Sequence, residues 1–359
     1  MIEILSNQLF LGFFFSLSVT LCVTPIVIRF ATKYGFVDDP KKHKHPAILH
    51  TKIIPRAGGL AIGVGIILAI LFFIPINKQI VGIIIGSIIA IIVGVLDDKY
   101  DLNPYLRFFS NFLIAIIVVL SGIGISFITN PFGGVFRLDE LIIRFDLFGP
   151  HSIIVLADMF AILWIVWVMN MLNWSKGVDG QLAGIAAVGF IVLGVTSLRF
   201  AENDPSQTIV ALLAFIAAGA SLGFLPFNWH PAKIFPGYSS TILGFLIAVL
   251  SIMSGAKVAI AVLAMAVPLL DGLFAIVRRL LMKKSPFWGD KRHLHHHLMR
   301  LGWGHRKISL FYWTVCAILG LIALTTSGVE KLFAGLLVFC AIIAAILWIN
   351  LIIWSKEDL

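Results

Sequence analysis

Long apolar runs separated by short polar loops recur along the whole chain. A helix needs roughly 17–25 apolar residues to cross ~30 Å of hydrocarbon. Such stretches are read near 8–28, 57–77, 79–96, 108–128, 152–172, 181–198, 208–227, 239–255, 257–277, 308–327 and 332–354. The pattern predicts an all-α, polytopic membrane protein with about eleven spans. No hydrophilic domain or low-complexity linker interrupts it, so residues 1–359 are read as one transmembrane domain. Three loops are longer than the rest, at 29–56, 129–151 and 278–307. The second, "NPFGGVFRLDELIIRFDLFGP", alternates polar and apolar residues around Gly and Pro, which predicts a small outer hairpin or interfacial segment.

Composition sharpens this picture. The chain is 60% hydrophobic and only 13% charged, far from soluble averages. Its formal net charge of +9 is informative by location, because short loops rich in Lys and Arg stay cytoplasmic. Arg29, Lys33, Lys41, Lys42, Lys44, Lys52 and Arg56 flank or fill the first long loop, and Arg278 to Lys307 hold a second basic group. Counting spans puts both loops on one face with 97–107, 173–180 and 228–238. The other face has few cations, among them Lys78, Arg199 and Lys331. The amino end is therefore expected outside and the carboxyl end cytoplasmic. Nucleic acid is not an expected partner, since the cations are spread over membrane-edge loops with no recognisable binding module. Glu3 stands where a signal peptide would carry basic residues, so the first span is read as retained. Cys22, Cys316 and Cys340 fall inside apolar spans at no metal-ligand spacing and read as packing residues.

The unusual polar clusters gather on the expected cytoplasmic side. "GVLDDKYDLNPYLR" (94–107) ends a span with Asp97 and Asp98. Adjacent carboxylates repel each other and are costly near hydrocarbon, so they imply a cation, a proton or a nucleophilic role, or else a solvated cap. Arg107 could pair with them or hold a phosphate. "NMLNWSKGVDGQLAG" (170–184) places Asn170 and Asn173 on one helix face, followed by Lys176, Gly177, Asp179 and Gly180. Its glycines permit close approach of backbone to a ligand; a plain helix end and turn is the alternative. In "FNWHPAKIFPGYSST" (227–241), backbone amides at a helix start could receive an anion. "HPAILHTKIIPRAGG" (45–59) brings His50, Lys52 and Arg56 to the second span, with a Gly pair suited to close helix packing. "DKRHLHHHLMR" (290–300) holds Arg292, His293, His295, His296 and His297. It reads as a phosphate-directed cluster or a basic anchor, with zinc ligation less suited to its spacing.

Taken together, these stretches and "PLLDGLFAIVRR" resemble, in order, the polyprenyl-phosphate N-acetylhexosamine-1-phosphate transferases, which include phospho-MurNAc-pentapeptide translocase and the initiators of O-antigen and teichoic acid synthesis. The resemblance covers most of the chain and implies ten or eleven spans. It also implies transfer of a sugar 1-phosphate, GlcNAc-1-phosphate being commonest, from a UDP-sugar to polyprenyl phosphate with release of UMP, at the cytoplasmic face of a bacterial inner membrane. A homodimer is left open. By the same resemblance Asp97 and Asp98 are catalytic candidates, and Lys176, a departure from the family's Asn-rich motif, is the third. His50, Arg107, Asn170, Asp179, Arg292, His293, His295 and His296 would bind substrate. Magnesium is the implied cofactor, with Asn173 and Asp98 as candidate ligands.

Two departures alter the charge. Tyr238 stands where the family has a magnesium-binding Asp in "F-M-G-D-x-G-S", and Lys176 replaces the first Asp of "D-G-x-D-G-L". The local charge shifts by about +3 at neutral pH, near what a bound magnesium ion would supply. Three readings follow: a transferase in which Lys176 takes part of the metal's role, an impaired relative that binds polyprenyl phosphate or nucleotide sugar, and a transporter.

Overall fold

Each apolar stretch carries a helix in the computed structural model, which describes residues 2–40, 52–129, 134–146, 150–254, 257–285, 293–326 and 328–357. In chain order these are α1 (Ile2–Tyr34), α2 (Gly58–Phe73), α3 (Lys78–Tyr100), α4 (Pro104–Leu120), α5 (Val155–Trp174), α6 (Gln181–Phe200), α7 (Ser206–Asn228), α8 (Thr241–Met253), α9 (Lys257–Ala264), α10 (Ala266–Leu281), α11 (Leu294–Arg300), α12 (His305–Thr325) and α13 (Gly328–Glu357). Among the described residues, 6 helices are long and apolar enough to cross a membrane, or up to 7 if the bent pair α9–α10 counts as one. Four more apolar helices have 10–17 residues. The chain is thus a helical, multi-pass membrane protein.

The break between α9 and α10 bends the pair by 83°. Pro268 lies in the first turn of α10, where it has no N–H to donate back across the break. The loop expected to form one hairpin forms two. β3 (Phe127–Thr129) pairs antiparallel with β4 (Val135–Arg137), and β5 (Ile142–Asp146) pairs with β6 (Pro150–Ile154). A further short pair, β1 (Val37–Asp38) with β2 (Ile54–Pro55), follows α1.

Helix α8 lies at the centre, with every residue from Thr241 to Ile252 buried. Helix α1 runs along α7 and α2, α6 along α7 and α12, and α5 along α8. Small residues make the α1–α7 contact: a Cβ at Gly219 or Gly223 would lie 2.2 Å from the Phe13 carbonyl oxygen or 2.4 Å from that of Leu17. Such close backbone approach is what holds helices together where lipid removes the hydrophobic drive. Phe10, Phe72, Phe109 and Leu337 are exposed on the outside, as a lipid-facing surface requires.

Polar contacts join the helix ends into two groups. At one end, Gln79 donates to the Gly122 carbonyl, Gln207 to that of Met253, and Arg199 to that of Leu324. The other end gathers the last turn of α3 and the loops before α6, α8 and α12, where the candidate site lies.

Candidate active site

The site begins at the last turn of α3. Asn77 caps the start of that helix by accepting from the Ile80 N–H at 2.9 Å, and Asp101 ends it at φ 50°. The chain then turns sharply: Asn103 caps α4 through the Tyr105 N–H at 2.9 Å, with Pro104 as its first residue, a position where the missing N–H costs nothing. This return sets Arg107 against Asp97, with Nη1 3.3 Å from the carboxylate. The Leu102 N–H also donates to Asp97 Oδ1, at 3.1 Å.

Asp98 is the anchor of a second element. Its Oδ1 accepts the Tyr238 N–H at 2.8 Å and faces Arg56 Nε at 3.5 Å. Its Oδ2 accepts the Ser239 hydroxyl at 3.1 Å and the Ser239 N–H at 3.4 Å. The sequence suggested that these amides receive a ligand's anion; they hold the protein's own carboxylate instead. Gly237, at φ 69°, makes this wrap feasible, since a Cβ there would lie 2.2 Å from Asp98 Oδ2. The turn is wedged between two helices at Gly59 and Gly94, where a Cβ would approach the Ser239 backbone to 2.1 Å in each case. Arg56 is placed by β2 and its neighbours: its N–H donates to the Phe36 carbonyl, and the preceding Pro55 carbonyl accepts from Phe235 N–H, both at 2.8 Å.

Lys176 enters from the loop after α5. Its Nζ donates to the Gly237 carbonyl at 2.8 Å. It lies 5.6 Å from the centre of the Tyr238 ring, and the Arg107 guanidinium lies 5.3 Å from the same ring. The Tyr238 hydroxyl accepts from Asn111 Nδ2 at 3.3 Å and donates to the Arg107 carbonyl at 3.4 Å. Burial pushes the Lys176 ammonium down to about 8, against the partly offsetting pull of Asp98. The side chains of Asp97 and Asp98 have 0% exposure, whereas Arg56 and Arg107 keep 19% and 26%. The cations, and not the carboxylates, therefore face the open side.

The same loop touches two further groups. At Gly177 a Cβ would lie 1.9 Å from His295 Nε2, so His295 packs directly on the backbone. Burial, with the neighbouring histidines, holds His295 well below the ordinary imidazole range. Its Nδ1 is buried without a hydrogen-bond partner among the described residues. His293 Nδ1 lies 2.9 Å from Asp271, whose other oxygen accepts the Leu294 N–H at 2.9 Å. Arg279 reaches His293 Nε2 at 3.4 Å and lies against the Trp174 ring. The four imidazoles are buried, which a solvated basic anchor would not be. His293 stacks on His295 at 5.6 Å, rather than sharing a helix face with His296 or His297, because it is the extended cap residue of α11.

Asp179 forms its own group, apart from the Asp97–Asp98 pair. Its Oδ2 lies 2.6 Å from His230 Nδ1 and 3.6 Å from His305 Nδ1, and accepts the Ala232 N–H at 3.2 Å. Burial would raise this carboxyl, but the hydrogen bonds from His305 and His230 prevail and hold it below the usual carboxylate range. Asn170 does not join any of these groups; its amide nitrogen donates to the Val166 carbonyl of its own helix at 2.7 Å. Asn173 Oδ1 is buried without a hydrogen-bond partner among the described residues, and His296 is buried in α11. His50 and Arg292 lie outside the described residues. Sequence reasoning gave no role to Arg56, His230, Asp271, Arg279 or His305. Asp271 carried a usable signal, a carboxylate inside an apolar run.

Magnesium takes oxygen ligands, usually one or two carboxylates together with waters and substrate phosphates. Each oxygen of Asp97 and Asp98 already faces a protein N–H, O–H or guanidinium. Asn173 Oδ1 contributes a single neutral oxygen. With Arg56, Arg107 and Lys176 around only two carboxylates, the residues present do not fit the magnesium ion expected at Asp98 and Asn173.

The glycosyl transferase family 4 profile matches residues 80–255, a span that runs from α3 through α8. Over 344 residues the chain is 33% identical to the probable undecaprenyl-phosphate N-acetylglucosaminyl 1-phosphate transferase of Bacillus subtilis, covering 94% of this chain and 90% of that one. The chain belongs to glycosyl transferase family 4. Within the family it is also 30% identical to the decaprenyl-phosphate N-acetylglucosaminephosphotransferase of Mycolicibacterium smegmatis, over 91% of this chain and 84% of the relative. It is 26% identical to the phospho-N-acetylmuramoyl-pentapeptide-transferase of Staphylococcus epidermidis, over 88% and 98%. Membership makes the chain a membrane transferase, and the profile match includes Asp97, Asp98, Lys176 and Tyr238.

Proposed function

We propose that the protein transfers a sugar 1-phosphate, N-acetylglucosamine 1-phosphate in the first instance, from a UDP-sugar to polyprenyl phosphate at the cytoplasmic face of a bacterial plasma membrane, as one transmembrane domain with its amino end outside. An oxygen of the polyprenyl phosphate attacks the sugar-bearing phosphorus. The bond to the UMP phosphate breaks, leaving UMP and a polyprenyl diphosphate sugar. A phosphate monoester's second pKa is about 6, so at neutral pH the attacking oxygen needs no base.

The observation that carries the reading is the convergence of Arg56, Arg107 and Lys176 around two carboxylates that are themselves closed to solvent. Such a transfer is catalysed by position and by fixed positive charge. Asp97 and Asp98 hold the cations and the Gly237–Ser239 turn in place, and His293 and His295 border the same loop as groups for the diphosphate or sugar.

The test is an assay of purified protein with UDP-GlcNAc and undecaprenyl phosphate, following lipid-linked sugar and UMP. Product should form, and Asp98→Asn, which loses half its acceptor capacity in the turn, should lower kcat/KM by about 10²-fold or more. Binding of either substrate without product would favour the impaired relative, a reading that the Lys176 and Tyr238 departures keep open.

A further inference from the structure

We propose that the Lys176 ammonium, held beside the Tyr238 ring, is the resident cation of this site, and that the transfer runs without a divalent metal. The inference rests on the transfer reading above but makes a separate claim about charge. Three features carry it.

First, Lys176 is built into the structure: Nζ is fixed on the Gly237 carbonyl at 2.8 Å, in the same turn that Asp98 holds. An ammonium has three donors. The Gly237 carbonyl takes the only one with a partner among the described residues, which leaves two for phosphate oxygens. Second, Tyr238 gives Lys176 and Arg107 a shared neutral surface, at 5.6 and 5.3 Å from its ring centre. A carboxylate there would neutralise one of them; an aromatic ring attracts both through its quadrupole while leaving their charge intact. Third, each oxygen of the two acids already faces a protein donor. A divalent ion would have to displace Arg56 or Arg107 from a fully buried carboxylate, and would then sit among the remaining cations. Diphosphate and phosphate bring the negative charge that this site lacks, so the substrates meet a pocket already positive before any ion binds.

The measurement is a manganese titration of the purified, detergent-solubilised protein by electron paramagnetic resonance, run beside the transfer assay with and without EDTA. The native protein should show no saturable Mn²⁺ site at this position, and EDTA should leave transfer unchanged within about twofold. Lys176→Met should lower kcat/KM by about 10²–10³-fold, and added Mg²⁺ should not restore it. The double variant Lys176→Asp, Tyr238→Asp should bind Mn²⁺ at least about tenfold more tightly than the native protein, provided that it elutes as a folded species. Saturable native binding that disappears in Asp98→Asn overturns the proposal, as does transfer that EDTA abolishes and Mg²⁺ restores. If no product forms under any condition, the transfer reading fails. The native titration then still decides the claim about the cation.

Discussion

A buried amine beside two carboxylates should report itself through pH. Burial pushes the Lys176 ammonium to about 8, and Asp98 and Asp97 pull the other way less strongly. The charged form is the useful one, so the charge is full well below that value and lost above it. The charged groups that face Lys176 are Asp97, Asp98, Arg56 and Arg107, and kcat/KM should be flat near neutrality and fall about tenfold per pH unit above about 8. An unperturbed lysine, near 10.5, would hold the plateau about 2.5 units further. Lys176→Arg keeps the charge and should extend the plateau while changing its height; a decline at the same pH in that variant would assign the titration elsewhere. Much at this scale was legible. Asp97, Asp98 and Lys176 stood out as charges at the edge of apolar runs, and Lys176 and Tyr238 as departures from a recognisable motif. Arg56, His230 and His305 did not, because each is defined by a partner far away along the chain: Asp98 for the first and Asp179 for the other two.

At the scale of elements, the site depends on one turn being pressed between α2 and α3. A Cβ at Gly94 would meet Ser239 Cα at 2.1 Å, and backbone cannot yield there without moving the amides that hold Asp98. Gly94→Ala should therefore cost about 1–3 kcal/mol and suppress transfer together. Gly335→Ala, where the nearest atom would be 3.8 Å away, should shift stability by less than about 0.5 kcal/mol. Thermal unfolding in detergent, followed alongside product formation, separates the two; a Gly94→Ala protein of native stability and activity would show that the turn is not wedged. The apolar runs located the helices well because hydrocarbon thickness sets their length. They did not reveal the bend in α9–α10, which turns on a local break at Met265, nor that the amides of 238–239 would be filled from α3. Helix-start amides look alike in sequence whether a ligand or the protein's own carboxylate fills them.

For the molecule as a whole, the decisive property is sidedness. The helix ends form two separate polar groups, one with the candidate site and one joining Gln79, Arg199 and Gln207 to opposite carbonyls. A nucleotide sugar is too highly charged to cross hydrocarbon unaided, so the proposed transfer requires the cation-lined face to open to the compartment that contains it. The proposed topology, drawn from the distribution of Lys and Arg, has that face in the cytoplasm. In a background with Cys22, Cys316 and Cys340 replaced, single cysteines at Lys78 and Glu202 should react with a membrane-impermeant maleimide on intact cells. Cysteines at Lys233 and Lys307 should react only after permeabilisation. All four lie at polar ends that the chain exposes, so unequal labelling reflects the barrier rather than burial. Labelling in the reverse sense would turn the protein over, place Arg56, Arg107 and Lys176 away from the nucleotide sugar, and remove the donor substrate from the reaction even if the pocket's chemistry were intact.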